Sequence, residues 1–381
     1  MLKALHICFY LLIFSTALYA AEPVRIGMSL SLSGSEASVG RMQERAFRLW
    51  ETHVNQGGGI LGRKVKLTVY DDEGDAETAR RLYRYMIEKE KMDLLFSPYS
   101  SGIMAAILPL TEKHEYPMLA SGAGADSLFQ KGYRYLFGIF PPASIYSLGF
   151  LELLLTNGFN RVAIISSDEP FGKNIAEGAE KWSKRLGMHV VYRETIKSRT
   201  QQFDMVAKKA RNAGAQAVLM CGHFNEAVNM RWALKRINWQ PKAYWASAGP
   251  DLKEYYDALD GLAENAFSST QWQYYEKLPY PGSKEFYRSF VARYKIKPSY
   301  HAATAYAAGF LMQTAIQKTG SLNRAKLREV LSYMDTMTLL GRYGVNQTGM
   351  QIRYFHLVTQ WIDGHKEVVW PAELRTSRPR F

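Results

Sequence analysis

The sequence predicts an α/β fold built on parallel sheets. Three observations predict it. Short apolar or alternating runs recur with helical-period segments between them, as in strand–helix–strand units. The loops that leave those runs are small or polar, at 33–39, 97–102, 121–126, 167–172, 222–225 and 247–251. The alternation also occurs in two successive blocks, separated by the proline pair in Ile139-Phe140-Pro141-Pro142-Ala143, a rigid crossover.

Taken in order, residues 1–20 are a different object from the rest. Lys3 is a short basic region, the apolar stretch starts at Ala4-Leu5 and runs on through Phe9–Phe14, and Ala17-Leu18-Tyr19-Ala20 offers a cleavage site before Ala21. This is the pattern of a secretory signal peptide. The alternative is an uncleaved anchor helix, for which the apolar core is short. Cys8 lies too early, among large neighbours, for a lipoprotein signal. Cleavage would remove Cys8 and leave Cys221 alone, so no intrachain disulfide could form, and no Cys/His spacing suits a metal.

Val24 to Leu32 is β-rich and alternating, and Ser33-Gly34-Ser35 follows as a tight loop. Arg41 to Val54 has helical spacing and stops at Gln56-Gly57-Gly58-Gly59. Lys64 to Tyr70 is the second strand. Asp71-Asp72-Glu73-Gly74-Asp75 then enters a helix from Ala76 to Lys89; its spacing does not match a calcium loop, and helix capping accounts for it. Leu94 to Phe96 is a strand, Ser97 to Gly102 a polar turn, and Ile103 to His114 a helix containing Pro109 as a potential kink. Met118 to Ala120 is the next strand, leading into the small-residue loop 121–126.

The second block repeats the plan. Strands are expected at Arg161–Ser166, Met188–Glu194, Ala217–Cys221, Ala243–Ala246 and Ala266–Trp272, with helices at Lys173–Leu186, Gln202–Ala213 and Glu226–Ile237. Three further helices, near Lys284–Tyr294, Ala302–Thr319 and Arg324–Tyr333, precede strands at Leu339–Tyr343, Ile352–Ile362 and Val368–Trp370. Asp363-Gly364 is a hairpin turn between the last two.

The 381 residues carry a net charge of +13, or +12 once Lys3 leaves with the leader. The basic residues are spread along helices rather than gathered in a block, so a solvated surface explains them and a nucleic-acid partner is not expected. Catalytic patterns are missing. His114-Glu115 has no second histidine at metalloprotease spacing, there is no G-x-S-x-G elbow or Walker loop, and Gly122-Ala123-Gly124 lacks the third glycine of a dinucleotide fingerprint. Of the eight histidines, His223 stands out because its loop follows a strand; a packed loop histidine is the plainer reading.

The stretch Leu94–Asp126 offers the most chemistry. Ser100 and Ser101 supply hydroxyls, the helix start supplies free N–H groups, and Gly122 and Gly124 let a ligand approach bare backbone. That suits a carboxylate or another anion; an ordinary βαβ turn is the alternative. Two sheets facing each other would gather all six post-strand loops around one cleft.

With these residues laid out, the chain resembles the periplasmic solute-binding proteins of the leucine/isoleucine/valine-binding type, the type I receptors of ABC transporters for branched-chain amino acids and amides. The motifs are IGMSLSLSG (Ile26–Gly34), NQGGGILGRKVKLTVYDDEGD (Asn55–Asp75), SPYSSG (Ser97–Gly102), YPMLASGAG (Tyr116–Gly124), FPPAS (Phe140–Ser144), SYHAATAYAAG (Ser299–Gly309) and QWIDGHKEVVWP (Gln360–Pro371). The resemblance implies two Rossmann-like lobes with parallel sheets joined by three crossovers, near 139–143, 268–273 and 334–342. Lobe 1 would hold 21–140 plus 273–334, and lobe 2 would hold 141–272 plus 335–381.

It also implies a non-catalytic, cofactor-free periplasmic receptor, monomeric, that closes on a small polar ligand and docks on a membrane permease. By motif match, Ser101 looks like the serine that bonds a ligand carboxylate, with Gly122 and Gly124 holding the same group and Phe171 covering it. His223 falls in a loop that often supplies another aromatic. Ser33, Tyr99, Ser100, Ala123 and Asp251 complete the candidate set. As a loop residue, Ser101 is expected to contribute to binding and little to stability. The family usually has Thr where this chain has Gly124. The acid that pairs with a ligand ammonium falls near Ala248 here, and Asp251 stands three residues on. The ligand classes left open are amino acids, amides, urea-like compounds and aromatic or aliphatic carboxylates. The functional alternatives are an amide- or amino-acid-sensing regulatory domain and a secreted α/β enzyme.

Overall fold

The computed structural model describes residues 22–197 and 202–381, so the expected leader lies outside the described residues. The first block runs β1 (Val24–Leu30), α1 (Ala37–Gln56), β2 (Val65–Asp71), α2 (Ala76–Glu88), β3 (Leu94–Leu95), α3 (Ser101–Lys113), β4 (Met118–Ala120), α4 (Asp126–Phe129) and β5 (Leu136–Gly138). The second runs α5 (Leu148–Thr156), β6 (Arg161–Ser167), α6 (Pro170–Arg185), β7 (His189–Ile196), α7 (Phe203–Asn212), β8 (Ala217–Cys221), α8 (Phe224–Arg236), β9 (Ala243–Ala246), α9 (Lys253–Ala258) and β10 (Ala266–Thr270). The chain continues through α10 (Ser283–Tyr294), α11 (Tyr300–Thr319), α12 (Arg324–Tyr333), β11 (Thr336–Thr338), β12 (Gly341–Tyr343), β13 (Leu357–Ile362) and β14 (His365–Trp370).

In the first lobe β1 lies between β2 and β3, all parallel, with Ile26 opposite both Leu67 and Leu94. β4 and β5 form a second parallel pair. A side-chain seam joins the two sheets: Ser97 Oγ accepts from Ser121 N at 3.0 Å and lies 3.0 Å from Ser121 Oγ. Asp75 caps α2 by accepting from Thr78 N, and buried Asp72 accepts from the Ser29 and Ser31 hydroxyls, so the acidic turn is structural. Helix α3 runs unbroken past Pro109. Helix α11 packs on α1, where a Cβ at Gly309 would sit 2.4 Å from the Trp50 ring; only glycine permits that approach.

The second lobe is one seven-stranded sheet in the order β14-β13-β10-β9-β8-β6-β7. Strands β8, β9 and β10 are buried along their whole length, because helices cover both faces. β13 runs antiparallel to β10 and turns into β14 through Asp363 (φ 51°) and Gly364 (φ 75°). Two positive φ values define the type I′ hairpin expected of Asp-Gly. Among the described residues no helix is long and apolar enough to cross a membrane.

The final stretch differs from expectation. Leu339–Tyr343 is not one strand: β11 and β12 form a small hairpin through it. Its residues Leu339, Leu340 and Tyr343 pack in the same core as Trp50 and Phe96, on the first lobe, and Tyr354 donates its hydroxyl to Ile139 O. The last passage into the second lobe therefore falls between Tyr354 and Leu357, not near 334–342. Strand β13 accordingly starts at Leu357 rather than Ile352. Their apolar character sends these residues to whichever core is adjacent, and local pattern does not say which.

Candidate functional site

The first lobe supplies two interlocked loops. Ser100 has φ 76° and ψ 148°, a conformation that costs a non-glycine residue about 1–3 kcal/mol and that clusters at functional sites. Its Oγ accepts from Ile103 N at 3.3 Å, capping α3, and its N–H donates to Gly122 O at 3.1 Å. Ser101 is 1% exposed, and its Oγ accepts from Gly124 N at 3.2 Å and Ala125 N at 3.1 Å. Ser101 is thus a fastener between the loops, which corrects the expectation that it matters little for stability. Its O–H proton is not consumed by those two bonds and remains a donor. A Cβ on Gly122 would lie 3.0 Å from both the backbone and the ring of Tyr99, so this glycine permits the close approach of the two loops. Gly124 O accepts from Ala143 N at 2.9 Å, tying the loop to the first crossover. The Ala123 methyl packs into the core behind the loop. Ser33 is exposed and bonds to Asp71, outside this cluster.

Residues from both lobes close a ring of aromatic side chains. Tyr99 meets His223 (ring centroids 6.3 Å apart), His223 stacks on Phe171 (5.5 Å), and Phe171 is edge-on to Tyr146 (5.5 Å). The Tyr146 and Tyr300 hydroxyls act on one another electrostatically, Tyr300 stacks on His301 (3.9 Å), and His301 returns to Tyr99 (5.6 Å). Val39 and Tyr99 of the first lobe pack against Leu252 of the second, and Ser127 N donates to Asn174 Oδ1 at 3.1 Å across the gap. The lobes are in contact, as in a closed cleft.

The polar groups of this interior are incompletely paired. Gln43 Oε1, Ser167 Oγ, His223 Nδ1, Gln271 Oε1 and His301 Nε2 are buried without a hydrogen-bond partner. Such groups in a native interior call for an occupant or ordered water. His223 Nε2 lies 3.2 Å from Glu169 Oε2, and Glu226 accepts from His223 N. Burial disfavours its charge, but the bond to Glu169 and the charges of Glu36, Glu169 and Glu226 prevail and raise its pKa to about 9. His301 is pushed the other way, to about 3, by burial and by the charges of Lys366 and His223.

Asp251 is buried, but Lys366 Nζ sits 2.6 Å from its Oδ1 and Tyr300 N donates to its Oδ2 at 3.3 Å. Its carboxylate pairs with the chain's own lysine, whereas the sequence placed Asp251 in the candidate ligand-binding set and assigned no residue to a ligand ammonium. Among the described residues no group of three or more His, Cys, Asp or Glu could hold a metal. The structure brings together Tyr99, Ser100, Ser101, Gly122, Gly124, Phe171 and His223. It adds Glu36, Gln43, Tyr146, Tyr300 and His301, which sequence reasoning did not single out. Tyr300-His301 stood within the SYHAATAYAAG motif, and Glu36 within the first post-strand loop, as their only signals.

A family model described as "Periplasmic binding protein" matches residues 23–365. The chain is 26% identical over 386 residues to the Leu/Ile/Val-binding protein homolog 8 of Brucella suis, covering 96% of this chain and 95% of that protein. It is 24% identical to homolog 7 of the same organism over 380 residues, 95% of each. Among solved structures it resembles the leucine-binding protein LivK of Thermotoga maritima (TM-score 0.82, 19% identity, 91% of this chain and 97% of that one). It also resembles LivJ of Streptococcus pneumoniae in complex with isoleucine (TM-score 0.82, 20%, 92% and 100%). A third is a solute-binding protein of R. palustris in complex with benzoate (TM-score 0.78, 18%, 94% and 97%). These structural likenesses establish the type I two-lobed fold.

Proposed function

The chain belongs to the periplasmic binding protein family, and on that premise we propose that it is the receptor of an ABC importer, capturing a small polar, carboxylate-bearing solute by hinge closure. The observation that carries this reading is the aromatic ring drawn from both lobes, with unpaired buried polar atoms around it. Contacts made from both sides favour the closed arrangement once a solute is present. The start of α3 and the Ser101 hydroxyl supply the anion-binding end. Isoleucine and benzoate, the solutes named for two of the structural neighbours, both carry carboxylates. In this reading the protein is exported through residues 1–20, acts in the periplasm as a monomer, hands its solute to a membrane permease and catalyses nothing.

A thermal-shift screen of the purified mature protein tests it against amino acids, amides and aromatic or aliphatic carboxylates. Ligand at about 100 times its dissociation constant adds about 2.7 kcal/mol to the folded state, so a true solute raises the melting temperature by several degrees. Small-angle scattering with that solute should show a smaller radius. Failure of every class to shift the transition would refute the receptor reading.

A further inference from the structure

We propose that Asp251 is a latch between the lobes: its carboxylate, presented by the second lobe, caps the start of helix α11 in the first and helps hold the cleft shut whether or not a solute is inside. Asp251 is thus a positioning residue for closure rather than a contact to the solute. The inference rests on the hinge of the receptor reading above and not on its solute.

Helix α11 has no side-chain cap of its own. It starts at Tyr300, and the preceding Ser299, a residue type that ordinarily accepts from the first turn, makes no such bond. Ser299 Oγ lies instead 3.4 Å from His301 Nδ1. The Ser299 carbonyl takes the N–H groups of Ala302 and Ala303. The N–H of the buried Tyr300 donates to Asp251 Oδ2 at 3.3 Å. A carboxylate at this end of a 20-residue helix meets both an orphan donor and the positive end of the helix dipole. Donor and acceptor belong to different lobes, so opening the cleft breaks the contact.

The acceptor is held ready by its own lobe. Lys366 Nζ on β14 donates to Asp251 Oδ1 at 2.6 Å and to its carbonyl at 2.9 Å. Trp361 Nε1 on β13 donates to Pro250 O at 2.8 Å. One carboxylate oxygen therefore stays with the second lobe while the other reaches the first. Burial pushes the Asp251 carboxyl up, and Lys366, the Tyr300 N–H and the Thr270 hydroxyl pull it down. Lys366 compensates the charge in advance, so closure adds the bond to α11 without burying an unpaired carboxylate. Next to Asp251, Leu252 packs on Val39 and Tyr99 of the first lobe. Asp251 is 4% exposed, so the bond forms out of water, where it is stronger. Every group in the contact belongs to the protein.

Pulsed electron-resonance distances between spin labels at Lys131→Cys and Lys173→Cys test this in the solute-free mature protein. Both sites are exposed; Lys131 follows α4 and Lys173 lies on α6, elements that meet across the gap at Ser127 and Asn174. Cys221 is buried and stays unlabelled. The reference protein should show a short, closed distance and a long, open one. Asp251→Asn combined with Lys366→Met removes the charge without stranding its partner. It should lower the closed-to-open ratio about tenfold or more, the effect of one hydrogen bond to a charged group. Urea denaturation reports whether the fold is intact, and if the pair does not fold, Asp251→Asn alone must shift the ratio the same way by a smaller factor. An unchanged ratio in a folded variant would make Asp251 and Lys366 a strut within the second lobe and overturn the latch, leaving the hinge reading standing. A reference protein with only the long distance overturns it too. Only the short distance in both proteins would remove hinge motion along with the latch.

Discussion

Replacing Ser101 with alanine removes an acceptor from two buried backbone donors at once. Ser101 Oγ receives Gly124 N at 3.2 Å and Ala125 N at 3.1 Å, and the residue is 1% exposed. An unsatisfied buried donor costs about 1–3 kcal/mol, so two of them, with some relaxation of the loop, cost about 2–4 kcal/mol. Loss of the hydroxyl donor to a bound carboxylate adds a separate binding penalty of about 1.5–3 kcal/mol, roughly 10- to 150-fold in affinity. Urea unfolding measures the first and calorimetric titration the second, on the same variant. Ser100→Gly is the control. It relieves the positive φ, worth about 1–3 kcal/mol, and sacrifices only a few tenths as a helix cap, so it should stabilise the protein. A stability loss below about 1 kcal/mol for Ser101→Ala would show that the two amides find other partners, and would refute the fastener role.

Two further perturbations follow from buried charge. Lys366→Met should destabilise by about 3–5 kcal/mol by stranding the Asp251 carboxylate, and adding Asp251→Asn should restore much of the loss; a single-variant effect under about 1 kcal/mol in urea denaturation would contradict the pairing. His356, with both ring nitrogens buried and unpaired, and His301 each have a folded-state pKa lowered by burial to about 3, against 6.5 in an unfolded chain. Their stabilising contribution is complete above about pH 6.5 and is lost as pH falls toward 3, at up to about 1.4 kcal/mol per pH unit each. His356→Phe should roughly halve that slope in urea midpoints measured between pH 6 and 4. His223 runs oppositely, its contribution being present below about pH 6.5 and lost as pH rises through about 9.

Much of the architecture could be read locally. Asp363-Gly364 predicted a hairpin turn, and the turn is there, with the two positive φ values that few other dipeptides tolerate. Ser97–Gly102 and the loop after Met118–Ala120 were paired by the strand–helix–strand rule, and Ser101 fastens them. What could not be read was pairing over distance. Lys366 stands 115 residues from Asp251, and no periodicity links a lysine on the last strand to an aspartate in a loop. Tyr99 and His223 meet only because two separate sheets present their loops to one gap. The hairpin β11–β12 was assigned to the wrong lobe for the same reason, since an apolar run announces burial without saying where.

The late return of the chain to each sheet constrains how the molecule can be made. The first core needs Leu339 and Tyr343, which emerge after the entire second block has been synthesised. The second sheet needs β13 and β14 to cover the flank of β10, whose residues are all buried. Neither body can finish while the ribosome is still producing the other, and the contacts that complete them span most of the chain. Such non-local topology folds slowly. A polypeptide that cannot lock its structure before its last residues appear stays extended and accessible for longer. Cutting the chain before Leu357 would leave the normally buried strand Ala266–Thr270 as an unpaired sheet edge, and the truncated product should aggregate rather than persist as a lone lobe.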